Sequence, residues 1–214
     1  MSKTGHALMG PLSKVVLGAA LLASLSGCVG MMLGGAVMGT VAAVDRRTLG
    51  AQTEDKTITV KAELKIPKIT GENGHVNIAS YNRKVLLTGE VRDEAMKAAV
   101  EREVRTIEGV EGVVNELEIA GPSSYTSRSN DALITTKVKA SLVDMKTISA
   151  TSFKVVTERG TVYLMGRVTQ REGNIAADVA KGVSGVNRVV KIFEYISEED
   201  LRLMQPQQAQ ASNM

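Results

Sequence analysis

Apolar residues recur with helical spacing in the stretch that follows residue 130. Ile134, Val138 and Leu142 stand four residues apart, and this spacing predicts an amphipathic helix with one apolar stripe. Asn130 or Asp131 offers a side-chain cap for the first turn of that helix. The pattern therefore predicts that the three aliphatic residues face a core.

Strand-like segments and a second helix follow. β-branched and aromatic residues flank the sequence ERG at 158–160, which predicts a hairpin with glycine in its turn. A helix is predicted over 171–183, with Ile175 and Val179 facing inward. A last strand is predicted where apolar residues alternate around Val189, Ile192 and Tyr195.

The whole pattern occurs twice. Asp55 corresponds to Asp131 at an offset of 76 residues, and Gly109 precedes Gly185 by the same offset. Each unit reads helix, strand, strand, helix, strand, so we expect an α+β fold with a three-stranded sheet and both helices on one face. The connecting segment 120–129 is short, so the two units are expected to be close neighbours.

The N-terminus has the pattern of a secretory signal. A positively charged head precedes the apolar segment 15–25, which is too short to span a bilayer. The sequence LSGC at 25–28 resembles the bacterial lipobox. That resemblance implies cleavage before Cys28 and acylation of this cysteine. The alternative is a first transmembrane helix in which Cys28 is only a small apolar residue.

The segment after the cysteine carries no charge. Residues 29–44 are rich in glycine, which is typical of a membrane-proximal tether. The sequence thus predicts five segments. They are the signal peptide (1–27), the acylated cysteine and tether (28–54), the first unit (55–122), the second unit (123–197) and a disordered polar tail (198–214).

Two glycine motifs in each unit resemble a known family. VLLTGEV at 85–91 is followed by GVEGVVNEL at 109–117, and VYLMGRV at 162–168 is followed by GVNRVV at 185–190. This order resembles the BON domain, and together with the lipobox it resembles the dual-BON outer-membrane lipoproteins of the DolP type. The resemblance implies αββαβ units, an outer-membrane location facing the periplasm, binding to anionic phospholipid such as phosphatidylglycerol, and a role in envelope integrity without catalysis.

Composition argues against several kinds of chemistry. The chain has one cysteine, two histidines, no tryptophan and a formal charge of +3. An internal disulfide and a multi-cysteine metal site are excluded, and nucleic-acid binding is not expected. We predict no enzymatic activity, no metal and no cofactor. His75 follows the sequence GENG without a second histidine or a cysteine nearby, so a turn residue is favoured over a ligand.

Charge distinguishes the two units. Residues 45–122 hold 12 basic and 14 acidic side chains, a balance of −2, whereas residues 123–196 hold 11 and 6, a balance of +5. An anionic membrane would therefore attract the second unit. Each basic side chain near such a surface contributes on the order of 1 kcal/mol, screened by salt.

The first helix of the second unit is the predicted lipid site, and the family resemblance implies the same helix. Lys137 and Lys139 project away from the apolar stripe, and an exposed Leu133 beside it would insert beneath the headgroups. The predicted lipid-contacting residues are Leu133, Ile134, Lys137, Val138, Lys139 and Arg171. In the alternative, Leu133 packs on the first unit and the lysines form a solvated face.

The leading hypothesis is a periplasm-facing outer-membrane lipoprotein whose second unit binds anionic phospholipid. Two other hypotheses stay open. One is an adaptor that binds envelope assembly factors or regulators of cell-wall remodelling, and the other is a chaperone-like module. Binding to vesicles of differing charge separates the lipid hypothesis from both.

Overall fold

The computed structural model describes residues 45–204, and the first unit follows the predicted order of elements. A short 3₁₀ turn (Gly71–Asn73) precedes its first strand. The elements are helices α1 (Leu49–Lys65) and α2 (Pro67–Thr70), strands β1 (His75–Tyr81) and β2 (Lys84–Val91), helix α3 (Glu94–Arg105), and strands β3 (Gly112–Asn115) and β4 (Glu118–Ile119).

The second unit repeats this order with a longer first helix and a longer last strand. A 3₁₀ turn (Ala150–Ser152) again precedes the first strand. The elements are helix α4 (Tyr125–Asp144), strands β5 (Phe153–Glu158) and β6 (Thr161–Val168), helix α5 (Gln170–Lys181), strand β7 (Arg188–Tyr195) and helix α6 (Glu198–Met204). Within residues 45–204, no helix combines the length and the apolar character needed to cross a membrane.

Each unit contains a mixed sheet whose central strand is the second strand of the hairpin. The hairpin strands pair antiparallel, β1 with β2 and β5 with β6. The strand after the second helix returns parallel to the central one, as β3 does to β2 and β7 to β6. The predicted α+β units with three-stranded sheets are confirmed, and the first sheet gains the two-residue strand β4 beside β2.

The glycine in the central strand of each unit is required by close approach of the backbone where the first strand of the hairpin begins. A Cβ atom at Gly89 would lie 2.0 Å from the carbonyl oxygen of His75, and one at Gly166 would lie 2.5 Å from that of Ser152. Any other residue would therefore push the hairpin strands apart. This contact explains why both copies of the motif carry glycine at this position.

Both long helices of a unit pack on one face of its sheet, as predicted. In the first unit, Val85 and Leu87 on β2 face α1 and α3, and in the second unit Val162 and Leu164 on β6 face α4 and α5. Because side chains alternate across a strand, the residues between them point to the opposite face. Leu86 therefore points away from the core between the first sheet and its helices.

The opposite faces of the two sheets pack against each other. Ala79, Tyr81 and Leu86 of the first sheet form one buried cluster with residues of the second sheet, namely Tyr163, Met165 and Ile192. Polar contacts between the units border this cluster. The Lys154 ammonium donates to the Ser80 carbonyl at 3.0 Å, and the Asn82 amide donates to Glu194 at 2.6 Å. The expectation that the two units are close neighbours is confirmed.

One carboxylate in each unit fastens the first helix to the hairpin turn. Asp131, in the middle of α4, accepts the backbone N–H groups of Arg159 and Gly160, both at 2.9 Å. Both turn residues have positive φ, 49° and 72°, as a two-residue hairpin turn requires. Asp55 on α1 likewise accepts the two turn N–H groups of the first unit at 2.7 and 2.8 Å.

This contact corrects the predicted helix cap. Ser124, and neither Asn130 nor Asp131, caps α4, because its hydroxyl accepts the N–H of Ser127 at 3.2 Å. Asp131 is 5% exposed and lies two turns inside the helix. The buried carboxylate is stabilised by the hydrogen bonds that it accepts from the turn, and it does not cap the helix.

Three predicted segments differ in extent from the helices of the structure. The tether was expected to extend to residue 54, but α1 begins at Leu49 behind its cap Thr48. The connection between the units is shorter than expected because α4 begins at Tyr125. The tail was expected to be disordered from residue 198, yet α6 occupies Glu198–Met204 with Leu201 buried.

Replacing the turn-binding carboxylate should destabilise the protein. Asp131→Ala leaves two N–H groups without their charged acceptor, so we expect the free energy of unfolding to fall by about 2–3 kcal/mol. Urea titration followed by circular dichroism measures this. The control Asp178→Ala removes an exposed carboxylate of α5 and should change stability by less than about 0.5 kcal/mol. Equal effects of the two substitutions would contradict the assigned role.

Candidate functional site

The outward face of α4 is an uncharged stripe. Leu133 is 61% exposed and Val143 is 68% exposed, on the side of the helix opposite the buried Ile134, Val138 and Leu142. With 3.6 residues per turn, the residues that share this side follow the spacing i, i+3, i+7 and i+10. They are Leu133, Thr136, Ala140 and Val143, and we call them the α4 stripe.

Two lysines border the α4 stripe. Helical periodicity places Lys137 on one flank and Lys139 on the other, and both are exposed. Neither ammonium group forms a hydrogen bond or an ion pair with any residue between 45 and 204. Their charges are therefore available to an external anion.

An aromatic residue stands at the beginning of the same helix. Tyr125 is 85% exposed, and the guanidinium of Arg128 lies 5.2 Å from the centroid of its ring. Tyrosine combines an apolar ring with a polar hydroxyl, which suits it to a boundary between water and an apolar phase. α4 thus presents an exposed aromatic residue as well as the aliphatic stripe.

The two flanks of the stripe differ in their surroundings. On the Lys139 side, a depression of about 160 Å³ is lined by Leu142, Val143 and Phe153 and contains no acidic residue. On the Lys137 side, a groove between α4 and α5 of about 520 Å³ also contains Asp144 and Asp178. An anion beside Lys137 would meet repulsion from these carboxylates, so the Lys139 flank is the more favourable of the two.

The structure separates the predicted lipid-contacting residues into three groups. Leu133, Lys137 and Lys139 are exposed as expected, and the alternative in which Leu133 packs on the first unit is wrong. Ile134 and Val138 are 1% and 0% exposed, so their assignment to the lipid surface is wrong. They belong to the core because they lie on the same side of α4 as Asp131, and this side is held against the sheet.

Arg171 is exposed but is already engaged within the protein. Its guanidinium donates to the carbonyl of Thr147 at 3.2 Å and lies 3.4 Å from the carboxylate of Glu198 on α6. Arg171 is thus a weaker candidate for binding an external anion than the two unpaired lysines of α4. Cys28 lies outside the described residues.

The corresponding helix of the first unit differs mainly in charge. α1 also exposes apolar side chains, Val60 and Leu64. Thr57 occupies the position of Leu133, and Glu63 occupies that of Lys139. Lys61, which corresponds to Lys137, lies 3.5 Å from Glu108. Of these two helices, only α4 carries a pair of lysines that have no partner within residues 45–204.

The chain approaches α1 across the second unit. The guanidinium of Arg46 forms two hydrogen bonds of 2.7 Å to the carboxylate of Glu172 and a third of 3.0 Å to the carbonyl of Arg167. Both side chains of this pair are buried, 8% and 3% exposed. Glu172 also completes the capping box of α5 with Thr169. The residues just before α1 are consequently fixed to the second unit.

Arg47 extends this attachment to the first unit. Its guanidinium binds Asp55 on α1 at 2.7 Å, binds Asp45 at the same distance, and lies 4.3 Å above the ring of Tyr81. Burial works to lower the pKa of Arg47, but the hydrogen bonds that it donates to Asp45 and Asp55 raise it overall. Arg46 and Arg47 together connect the start of the described chain to both units.

Sequence reasoning missed several of these residues. Val143 was detectable, because it continues the outward spacing of Leu133 once the helix is extended to Asp144. Tyr125 was assigned to the connecting segment, although Ser124 before it is a good helix cap. Nothing local marks Arg46, whose partner Glu172 lies in the other unit.

Both units correspond to domains of one known family. The family model described as "BON domain" matches residues 54–121 and 130–196. The chain is 39% identical to "Outer membrane lipoprotein DolP" of Haemophilus influenzae over 193 residues, which is 88% of this chain and 98% of that protein.

Two further relatives match over shorter lengths. The "21 kDa hemolysin" of Actinobacillus pleuropneumoniae is 32% identical over 72% of this chain and 80% of its own. "Osmotically-inducible protein Y" of Escherichia coli is 46% identical over 28% of this chain and 30% of its own. The first of these two matches spans more than a single repeated unit.

The buried Arg46–Glu172 pair should make a large contribution to stability. Arg46→Met leaves the Glu172 carboxylate buried without its partner, so we expect a loss of about 3–5 kcal/mol in the free energy of unfolding. The control Arg102→Met alters an exposed arginine and should be close to neutral. Denaturant titration measures both, and a neutral Arg46→Met would contradict the assignment.

The same pair should make stability depend on acidity. Burial works to raise the pKa of Glu172, but Arg46 and the Thr169 N–H outweigh it, so the pKa is lowered from 4.5. The stabilisation is therefore complete above pH 4.5 and is lost as the pH falls through the lowered value. As the pH falls through this range, the free energy of unfolding of Arg46→Met should therefore decrease less than that of the unaltered chain.

Proposed function

The chain belongs to the BON-domain family as a dual-BON outer-membrane lipoprotein of the DolP type, and from this premise we propose that it binds anionic phospholipid through α4. Cys28 is the proposed lipid-anchored residue, and the two units face the periplasm. The cellular role that follows is support of envelope integrity at the membrane to which the chain is anchored.

The observation that carries the proposal is the combination of apolar and basic groups on α4. The α4 stripe exposes Leu133 and Val143 between two lysines that have no partner among residues 45–204. A helix with this arrangement lies in the plane of a membrane surface, with its apolar side chains beneath the headgroups and its lysines at the phosphates. Tyr125 adds an aromatic ring of the kind found at that level.

The interaction is expected to be weak without the anchor. Each lysine contributes on the order of 1 kcal/mol at an anionic surface, and full burial of a leucine contributes about 1.5–3 kcal/mol. These gains are reduced by the ordering of the protein against the surface. An acylated Cys28 would keep the headgroup concentration around α4 high, so even a weak contact would be occupied.

The attachment of Arg46 supports this arrangement. Seventeen peptide units separate Cys28 from Asp45, a reach of at most about 60 Å. The next residue, Arg46, is fixed at the first turn of α5, and the far end of that helix, about 18 Å away, leads to Gly185 beside Ile134 of α4. The covalent reach of the tether therefore exceeds the distance along the second unit to the lipid site.

A protein-binding adaptor is the second candidate, and the outward face of α1 favours it. Leu49, Val60 and Leu64 are each more than half exposed on this helix. Lys61 and Glu63 border them with opposite charges. This pattern suits binding to a protein surface of mixed charge better than binding to an anionic membrane.

Flotation with liposomes tests the lipid site. A soluble fragment, residues 45–214, retains all three buried clusters, and it should float with vesicles that contain phosphatidylglycerol and not with phosphatidylcholine vesicles. The double substitution Leu133→Glu with Lys137→Glu lowers the charge by three and removes the central apolar contact. We expect it to weaken binding at least tenfold, since each charge contributes on the order of 1 kcal/mol.

The repeat supplies a control with the same change in charge. Thr57→Glu with Lys61→Glu alters the corresponding positions of α1 and should leave flotation nearly unchanged. Equal losses in the two variants would mean that net charge alone drives binding and that α4 is not the site. Failure of the unaltered fragment to float would refute the lipid proposal and favour the adaptor.

Lipidation is tested separately at the cysteine. Cys28→Ser removes the thiol that would carry the acyl chains, so the protein should move from the membrane fraction to the soluble fraction of cells that have an outer membrane. Ser26→Ala keeps a small residue in the lipobox and should remain in the membrane fraction. A Cys28→Ser protein that resists a high-salt wash of the membranes would contradict the assignment.

A further inference from the structure

A histidine and two glutamates converge where the two units meet. His75, the first residue of β1, lies opposite Glu90 on β2 in the strand register, and its Nδ1 atom is 3.5 Å from Glu90 Oε2. Glu158, the last residue of β5, comes from the second unit. One nitrogen or oxygen atom from each of the three residues lies within 4.8 Å of the others. His75 thus begins a strand, and its prediction as a turn residue is wrong.

Two of these side chains have buried atoms without a hydrogen-bond partner. Glu90 is 0% exposed, and its Oε1 atom is unpartnered, as is Nδ1 of His75. The hydroxyl oxygen of Thr88, on the same face of β2 as Glu90, is a third such atom. Buried polar atoms in native proteins are nearly always satisfied, so the unpartnered atoms of the adjacent Glu90 and His75 indicate a place for a further partner.

The protein groups around the cluster satisfy it only in part. Glu90 Oε2 accepts the N–H of Ser123 at 3.1 Å, and Glu158 accepts the side-chain amide of Asn77 at 2.6 Å. The guanidinium of Arg159 stays 3.8 Å from Glu90 Oε1 and is nearer to Glu118, at 3.4 Å.

A second cation, Arg128, lines the same cleft. Its guanidinium donates to the carbonyl of Ser123 at 2.8 Å rather than to either carboxylate. Two buried carboxylates therefore stand close together without a direct cationic hydrogen-bond donor.

A solvent-accessible cleft adjoins the cluster, and burial shifts the pKa of two of its groups. Burial raises the pKa of Glu158, and repulsion from Glu90 raises it further. Burial and the charge of Arg128 lower the pKa of His75, against the opposing effect of Glu90. A cleft of about 430 Å³, lined by His75, Asn77 and Glu158 among others, opens beside the cluster and offers a path from solvent.

We propose that His75, Glu90 and Glu158 bind one divalent transition-metal ion, of the kind represented by Zn²⁺, at the junction of the two units. One imidazole nitrogen and two carboxylate oxygens form a ligand set that zinc accepts, with solvent from the cleft in the fourth position. The 3.5 Å between His75 and Glu90 already suits two ligands of one ion. Ligands at about 2.1 Å from a metal lie at most about 4.2 Å apart, so the 4.8 Å limit of the cluster requires only a small side-chain movement.

Such an ion would connect the two units, because two ligands come from the first sheet and the third comes from the second. This inference is independent of lipid binding, which uses the outward face of α4. The ligands lie on strands and are distant in the sequence, which is why their spacing gave no metal motif.

Co²⁺ titration of the full-length chain in non-ionic detergent tests the site. We expect a saturable visible absorption band at one ion per chain, its displacement by Zn²⁺, and a higher unfolding temperature with Zn²⁺ than with chelator. His75→Ala and Glu158→Gln should each weaken the affinity at least tenfold, since even the loss of a group that only supports a ligand costs 10–100-fold. Circular dichroism without metal checks that each variant is folded.

Glu158→Gln keeps the shape of the side chain, so the test stands even where His75→Ala fails to fold. The control Glu116→Gln removes a carboxylate of the same region that lies outside the cluster, and it should bind Co²⁺ as the unaltered chain does. Absence of saturable binding, or equal affinity of Glu158→Gln and Glu116→Gln, would overturn the proposal.

Discussion

The hydrogen bonds that Asp131 accepts from the turn of the adjacent hairpin set the rotation of α4 about its own axis. Asp131, Ile134, Val138 and Leu142 share one side of the helix, and the carboxylate can reach the two N–H groups only if this side faces the sheet. The α4 stripe is thereby turned outward. Asp55 makes the same contact in the first unit, so one interaction orients the first helix of both repeats.

Packing of the two sheets decides which surfaces remain available. Each sheet is covered by its own helices on one face and by the other sheet on the opposite face, so external partners meet mainly helices. The apolar groups exposed on α1 and α4 are similar in kind, and the lysines distinguish the two helices. Arg46 then connects the segment before α1 to the second unit, the unit that carries these lysines.

Local sequence signals succeeded where the structure is local. Periodicity identified the core stripe of α4, the hairpins and the repeat, because these depend on residues a few positions apart. The signals failed where one residue type serves two purposes. Asp131 has the chemistry of a helix cap, yet it binds a turn nearly 30 residues away. Ser124 was overlooked because serine is common in connections as well as in caps.

The sequence by itself determined that there are two BON units and which residues share each helical face. Only the tertiary structure decided that Ile134 and Val138 are buried in the core, that Arg46 meets Glu172, and that Glu158 joins His75. The physical reason is the range of the interactions. Periodicity arises from neighbouring residues, whereas burial and charge pairing between units depend on how two sheets pack.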